Sequence, residues 1–139
     1  MTHRERLAWG MCLALGAAAS AYFLPVLQAL GATGQATAPS AGAAALAVAV
    51  LVLLSVAGAI VAALAAPHEA QSRMDARERA ILMASERTGG LVLAAGIAVL
   101  VAFGHVAPDP QWIVPGLVAV LAASQIASYA LQIVGFRTS

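Results

Sequence analysis

The densest group of residues able to do chemistry is a charged segment that follows the second apolar run. Its carboxylates can bind a cation, and its guanidinium groups can bind a phosphate or a carboxylate. One interpretation is a site for an ion, a lipid head group or a partner protein. The simpler interpretation is a solvated, salt-bridged helix start that only fixes the orientation of the chain. The candidate residues are Asp75, Arg77, Glu78, Arg79, Glu86 and Arg87.

Glu86 and Arg87 differ from the rest of this segment in their position, because a long uncharged run begins directly after them at Thr88. Ionisable groups at depth in a membrane are costly and often functional. At the boundary, however, both side chains can extend outward to water. They are therefore the most informative members of the segment.

A second set of polar residues recurs every four positions near the C-terminal end. Ser124, Ser128 and Gln132 share one face of a helix. Gln125 and Tyr129 lie beside them. In lipid such side chains turn towards other helices, where each hydrogen bond is worth roughly 0.6 to 2 kcal/mol. We interpret this intramembrane polar face mainly as helix-to-helix contact, with a polar pocket or water-lined path as the alternative.

Small residues four apart also occur on the other predicted helices, for example Gly90, Ala94 and Ala98. Such residues allow two helix backbones to approach closely. In a chain so rich in alanine, however, such matches arise readily by chance.

Neither a metal site nor a catalytic arrangement is predicted. His3 and His68 fall on one side of the topology derived below and His105 on the other, so one ion cannot bind all three. Cys12 is the only cysteine, which excludes a C-x-x-C pair and a multi-cysteine metal site within one chain. No Ser/His/Asp order or glycine-rich phosphate loop is present. We expect no cofactor and no enzymatic activity.

The composition is that of an integral membrane protein. Of 139 residues, 62% are hydrophobic and 9% are charged, against roughly 25% charged in an average soluble domain. The apolar runs predict an all-α membrane protein, a single domain over residues 1–139. Its four-transmembrane-helix bundle consists of two hairpins, with helices near 7–30, 41–66, 75–106 and 111–136. The third helix would be about 45 Å long against a hydrocarbon core of about 30 Å, so its start extends into the cytoplasm.

The arginines predict the orientation, since basic residues in short loops stay on the cytoplasmic side. With four spans, all seven arginines share one side, and Asp109 is the one charged residue on the other. Both termini are then cytoplasmic, in the cytoplasmic (inner) membrane of a bacterium. Trp9 and Trp112 fall near the two interfaces, which indole prefers. A cleaved signal peptide is the competing interpretation, but the first apolar run continues to Leu30 and is longer than a usual signal sequence.

Three short motifs resemble those of a family of short bacterial four-helix membrane proteins of unknown function. They are Pro67-His-Glu-Ala, Asp75-Ala-Arg77-Glu78-Arg79-Ala-Ile81, and Tyr129-Ala-Leu-Gln132 followed by Arg137. The resemblance implies the four-span topology over nearly the whole chain and implies no activity. It makes the central charged motif the best candidate for a shared role. Ala76 and Gln125 stand where the family pattern often has acidic residues, which weakens any ion-binding role.

Three classes of function remain. We prefer a non-enzymatic interaction or accessory protein, which associates with itself or docks to a larger membrane complex through the charged segment. A small oligomeric transporter or channel with a polar path along the fourth helix is the alternative, and an enzyme acting on lipid or quinone is the third class. The expected partners are membrane lipids and another copy or another membrane protein. Nucleic acid is not expected, because the net charge is only +1.

Overall fold

The computed structural model describes residues 3–35, 37, 39–65, 67, 75–106 and 110–138. Within these residues it contains the helices α1 (His3–Thr33), α2 (Ala41–Ala65), α3 (Ala76–Val106) and α4 (Ile113–Thr138), with a 3₁₀ turn (Pro110–Trp112) before α4. Each of the four helices is long and apolar enough to cross a membrane. The prediction of an all-α fold with four apolar helices of spanning length is confirmed.

The helix ends near the first turn follow from local chemistry. Gly34 has a φ of 69°, and its amide donates to the carbonyl of Leu30 at 2.9 Å. Only glycine adopts this left-handed conformation without strain, so α1 ends there. Ser40 begins α2, because its hydroxyl accepts a hydrogen bond from the Ala43 amide at 3.3 Å.

The helices are arranged with α1 and α4 as the inner pair. α1 packs against both α2 and α4, and α4 also packs against α3. Neighbouring helices run antiparallel, which brings the beginning of α1 to the end of α2. There His3 Nδ1 lies 2.9 Å from the Ala62 carbonyl oxygen, and about two turns further along α1 Gly10 meets Gly58 backbone to backbone. The absence of side chains at this pair lets α1 and α2 approach closely.

α3 and α4 interlock through glycines. At four levels, a glycine of one helix leaves space that a side chain of the other helix occupies. The tightest level is Gly89, which lies under the Ser128 side chain and close to the Ser124 backbone carbonyl. The four pairs are Gly89 with Ser128, Gly96 with Val120, Gly116 with Leu100 and Gly135 with Ile81.

The small residues four apart on α3 do not take part in this interface. Gly90, Ala94 and Ala98 are exposed, and nothing lies within 4 Å of a side chain added at Gly90. α3 has small residues on two adjacent faces, and α4 packs against the face that contains Gly89 and Gly96.

Most large apolar side chains point outward. The buried core is small and centres on Tyr22, Val26 and Ala47, where α1 and α2 pack together with Val118 of α4 nearby. Leu53 and Leu64 of α2 and Val99 of α3 are among the exposed apolar residues. A surface of this kind is favourable in lipid and unfavourable in water.

Candidate functional site

The start of α3 is held by a reciprocal cap. Asp75 Oδ1 accepts a hydrogen bond from the Ala76 amide at 2.7 Å, and the Asp75 amide donates to Glu78 Oε2 at 3.2 Å. The Asp75 carbonyl accepts from the Arg79 amide at 3.0 Å, which closes the first turn. This is the capping-box arrangement of an acceptor residue and a glutamate three positions later. Two of the predicted site carboxylates are thus engaged in starting the helix.

Glu78 also joins two helices. Its Oε2 lies 3.0 Å from Arg4 Nε of α1, and the two side chains are 26% and 25% exposed. Dissolved salt screens a partly buried ion pair less than it screens a fully exposed pair. The Glu78 carboxylate is therefore shared between the cap of α3 and the contact with α1.

A second ion pair lies at the same end of the molecule. Arg137 Nε donates to Glu5 Oε1 at 2.9 Å, and the Arg137 guanidinium lies 5.6 Å from the centre of the Trp9 ring. The Glu5 side chain is only 7% exposed. Sequence reasoning missed this pair, although an acid enclosed by Arg4 and Arg6 was a signal that it has a partner elsewhere.

These contacts also explain why α1 begins at His3, earlier than the predicted position near residue 7. Arg6 Nη1 donates to the Ala65 carbonyl at the end of α2, at 3.0 Å. Each polar residue of this first turn has a partner on another helix, so the helix continues beyond its apolar part.

The arginines of the segment have a different environment from its acids. Arg77 and Arg87 are exposed and make no hydrogen bond or ion pair within the described part of the chain. Arg79 is exposed as well. Arg77 and Arg87 therefore present unpaired positive charge at the surface, whereas Glu5 and Glu78 are paired with arginines of other helices.

The polar face of α4 is divided between two roles. Ser124 and Ser128 are buried against α3. Ser128 Oγ donates to the Ser85 carbonyl at 3.2 Å, whereas Ser124 Oγ donates to the Leu121 carbonyl of its own helix at 2.8 Å. Ser85, which sequence reasoning did not single out, is 2% exposed. This half of the face is the predicted helix-to-helix contact.

The other half opens into a cleft of about 340 Å³ between α3 and α4. Gln125 is exposed and Tyr129 is half-buried. Gln132 is only 8% exposed, yet its amide makes no hydrogen bond within the residues that the structure describes. Its polar atoms retain solvent contact and therefore reach the cleft. The lining comprises Glu86, Gly89, Gly90, Leu93, Ser124, Gln125, Ser128, Tyr129 and Gln132.

The structure thus brings together residues from both predicted sets. Glu86 lies in the cleft with the polar face of α4, whereas Asp75, Arg77, Glu78 and Arg79 lie nearer the beginning of α3 and do not line the cleft. Arg87, the next residue after Glu86, is exposed and does not line the cleft.

An apolar groove of about 390 Å³ adjoins the same two α4 residues. Gln125 and Tyr129 form its boundary with the polar cleft, because they line both spaces. The rest of the groove belongs to α1 and α2. Its other lining residues are Met11, Leu15, Leu51, Val52, Ser55 and Val56.

The histidines remain apart. His3 lies at the arginine-rich end, and His105 lies near the C-terminal end of α3, where its Nδ1 is 2.8 Å from the Val101 carbonyl oxygen. His68 lies outside the described residues. Among the residues described, no group of three or more His, Cys, Asp or Glu side chains could hold a metal ion.

Comparison of the chain with protein-family models, with curated proteins and with solved structures finds no match.

Proposed function

We propose that this chain is a multi-pass protein of the bacterial cytoplasmic membrane, with two helical hairpins and both termini in the cytoplasm. The antiparallel packing and the shared position of Arg4, Arg77 and Arg137 at one end support this orientation. At 1.5 Å per residue α3 is about 46 Å long against a hydrocarbon core of about 30 Å. Its start, up to Glu86, would then extend into the cytoplasm. We also propose that the chain is related to the family of short four-helix membrane proteins of unknown function.

Its function in this proposal is that of a non-enzymatic interaction or accessory protein, which docks to an acidic surface of a partner membrane protein through the start of α3. One observation carries the proposal. Asp75 and Glu78 are engaged within the chain, whereas Arg77 and Arg87 are exposed without a partner among the described residues. The cap and the contact with Arg4 hold this part of α3 rigid, which lowers the entropy cost of docking.

The test is affinity purification of the tagged chain in mild detergent, followed by mass spectrometry. We expect a stoichiometric partner whose recovery falls roughly tenfold in the double variant Arg77→Gln/Arg87→Gln, because two interfacial ion pairs at up to about 1 kcal/mol each would be lost. The matched control, Arg77→Lys/Arg87→Lys, retains the charge and should retain most of the partner. Absence of a stoichiometric partner, or equal recovery with the glutamine variant, would contradict the docking proposal.

A small oligomeric transporter or channel is the second candidate, and the cleft beside Glu86 favours it. The polar residues from Ser124 to Gln132 extend over about 12 Å of helix, which is less than half of a hydrocarbon core of about 30 Å. One chain therefore supplies only part of a path. A polar stretch of about 12 Å fits a binding site better than a pore. The cleft lining contains neither a histidine nor a cysteine that could act in catalysis.

A further inference from the structure

The cleft between α3 and α4 has unused hydrogen-bonding capacity. Gln132 is 8% exposed and lacks a hydrogen-bond partner within the described residues, and its amide reaches the cleft. The amide keeps solvent contact, so its oxygen and NH2 group can pair with a ligand that enters the cleft. The carboxylate of Glu86 lines the same space.

The lining selects for a cation that can donate several hydrogen bonds. Glu86 supplies a carboxylate, Gln125 and Gln132 supply amide oxygens, and Tyr129 supplies a hydroxyl and an aromatic ring. A primary ammonium group carries three N–H donors and is attracted by aromatic rings. A phosphate in the same position would be repelled by the Glu86 carboxylate.

The surroundings favour a lipid as the source of this ammonium group. Glu86 stands just before the uncharged part of α3, which runs from Thr88 to Val106 and is about 28 Å long at 1.5 Å per residue. Gln125 and Tyr129 line both the cleft and the apolar groove between α1, α2 and α4, so the two spaces lie next to each other. A lipid whose head group lies at Glu86 would therefore have an adjacent apolar space suited to an acyl chain.

We propose that the α3–α4 cleft binds the head group of a phospholipid that carries a primary ammonium, as in phosphatidylethanolamine. The ammonium pairs with Glu86 and Gln132, and an acyl chain lies along the apolar groove. This site differs from the docking surface proposed above, because neither Arg77 nor Arg87 lines it.

The test is native mass spectrometry of the full chain in detergent, titrated separately with phosphatidylethanolamine and with phosphatidylcholine of the same acyl chains. We expect the ethanolamine lipid to bind at least about tenfold more tightly, because the three methyl groups of choline remove the N–H donors. Glu86→Gln should abolish this preference. Glu78→Gln is the matched control, since it makes the same change on the same helix outside the cleft, and it should keep the preference.

Gln132→Leu provides a second variant, which removes the amide without creating a charge and should also reduce the preference. Equal binding of the two lipids to the unmodified chain would overturn the proposal, as would an unchanged preference in Glu86→Gln. Glycerophosphoethanolamine has the same head group without acyl chains and should bind far more weakly. If it bound as tightly as the lipid, a soluble amine would be the ligand and the lipid proposal would be wrong.

Discussion

Gly89→Leu is expected to lower the free energy of unfolding by about 3 kcal/mol, the upper part of the range for overpacking an interior. A Cβ atom at this position would overlap the Ser128 hydroxyl and lie 3.1 Å from the Ser124 carbonyl oxygen. The hydroxyl can rotate away, but the backbone carbonyl cannot. The helices α3 and α4 would have to separate, which would also break the hydrogen bond from Ser128 to the Ser85 carbonyl. Equilibrium unfolding of the purified chain in mixed micelles measures the change.

The adjacent residue provides the control. Gly90→Leu makes the same substitution one position along, where nothing lies within 4 Å of the added Cβ. Leucine has a better helix propensity than glycine, so this variant should be as stable as the original chain or slightly more stable. Equal destabilisation by the two variants would show that α3 does not pack on α4 through the Gly89 face.

Arg137→Met is expected to cost about 2 kcal/mol, because it removes a charged partner from the Glu5 carboxylate, whose side chain is 7% exposed. It also removes the cation that lies 5.6 Å from the Trp9 ring centre. The loss should be smaller than for a fully buried ion pair, since the Arg137 side chain is 58% exposed. The same unfolding measurement applies.

Two further variants identify the cause. Adding Glu5→Gln to Arg137→Met should recover part of the stability, because the buried charge is then absent. Arg87→Met removes an exposed arginine that has no partner among the described residues, and it should change stability by no more than about 0.5 kcal/mol. A loss as large in Arg87→Met as in Arg137→Met would mean that net charge, and not the contact with Glu5, is responsible.

The apolar helices were predictable from the sequence because hydrophobic length is a property of each segment alone. The first two apolar segments are separated by Gly34 and Ser40. The Gly34 amide caps the end of α1, and the Ser40 hydroxyl caps the beginning of α2. The beginning of α1 was placed too late for the opposite reason. His3, Arg4 and Glu5 continue the helix through contacts with three other helices, and a single segment contains no information about those partners.

The polar residues of the candidate site could be identified from the sequence, but which of them lie together in the cleft could not. The four-residue spacing of Ser124, Ser128 and Gln132 places them on one face of α4, and all three are buried in the structure. Its opposite wall depends on which side of α3 meets it. In the structure the Gly89 face meets α4, because Gly89 fits closely under Ser128. The sequence of α3 alone does not distinguish the Gly89 face from the Gly90 face. The position of Glu86 in the cleft follows from the same fit.

The most direct test of the proposed membrane topology is cysteine labelling from outside intact cells. In a Cys12→Ser background, single cysteines replace the exposed residues Gln35, Gln111 and Thr138, and a membrane-impermeant maleimide is applied before and after permeabilisation. The topology proposed here predicts labelling of positions 35 and 111 in intact cells, and of position 138 only after permeabilisation. Labelling of position 138 in intact cells would contradict four spans with both termini in the cytoplasm.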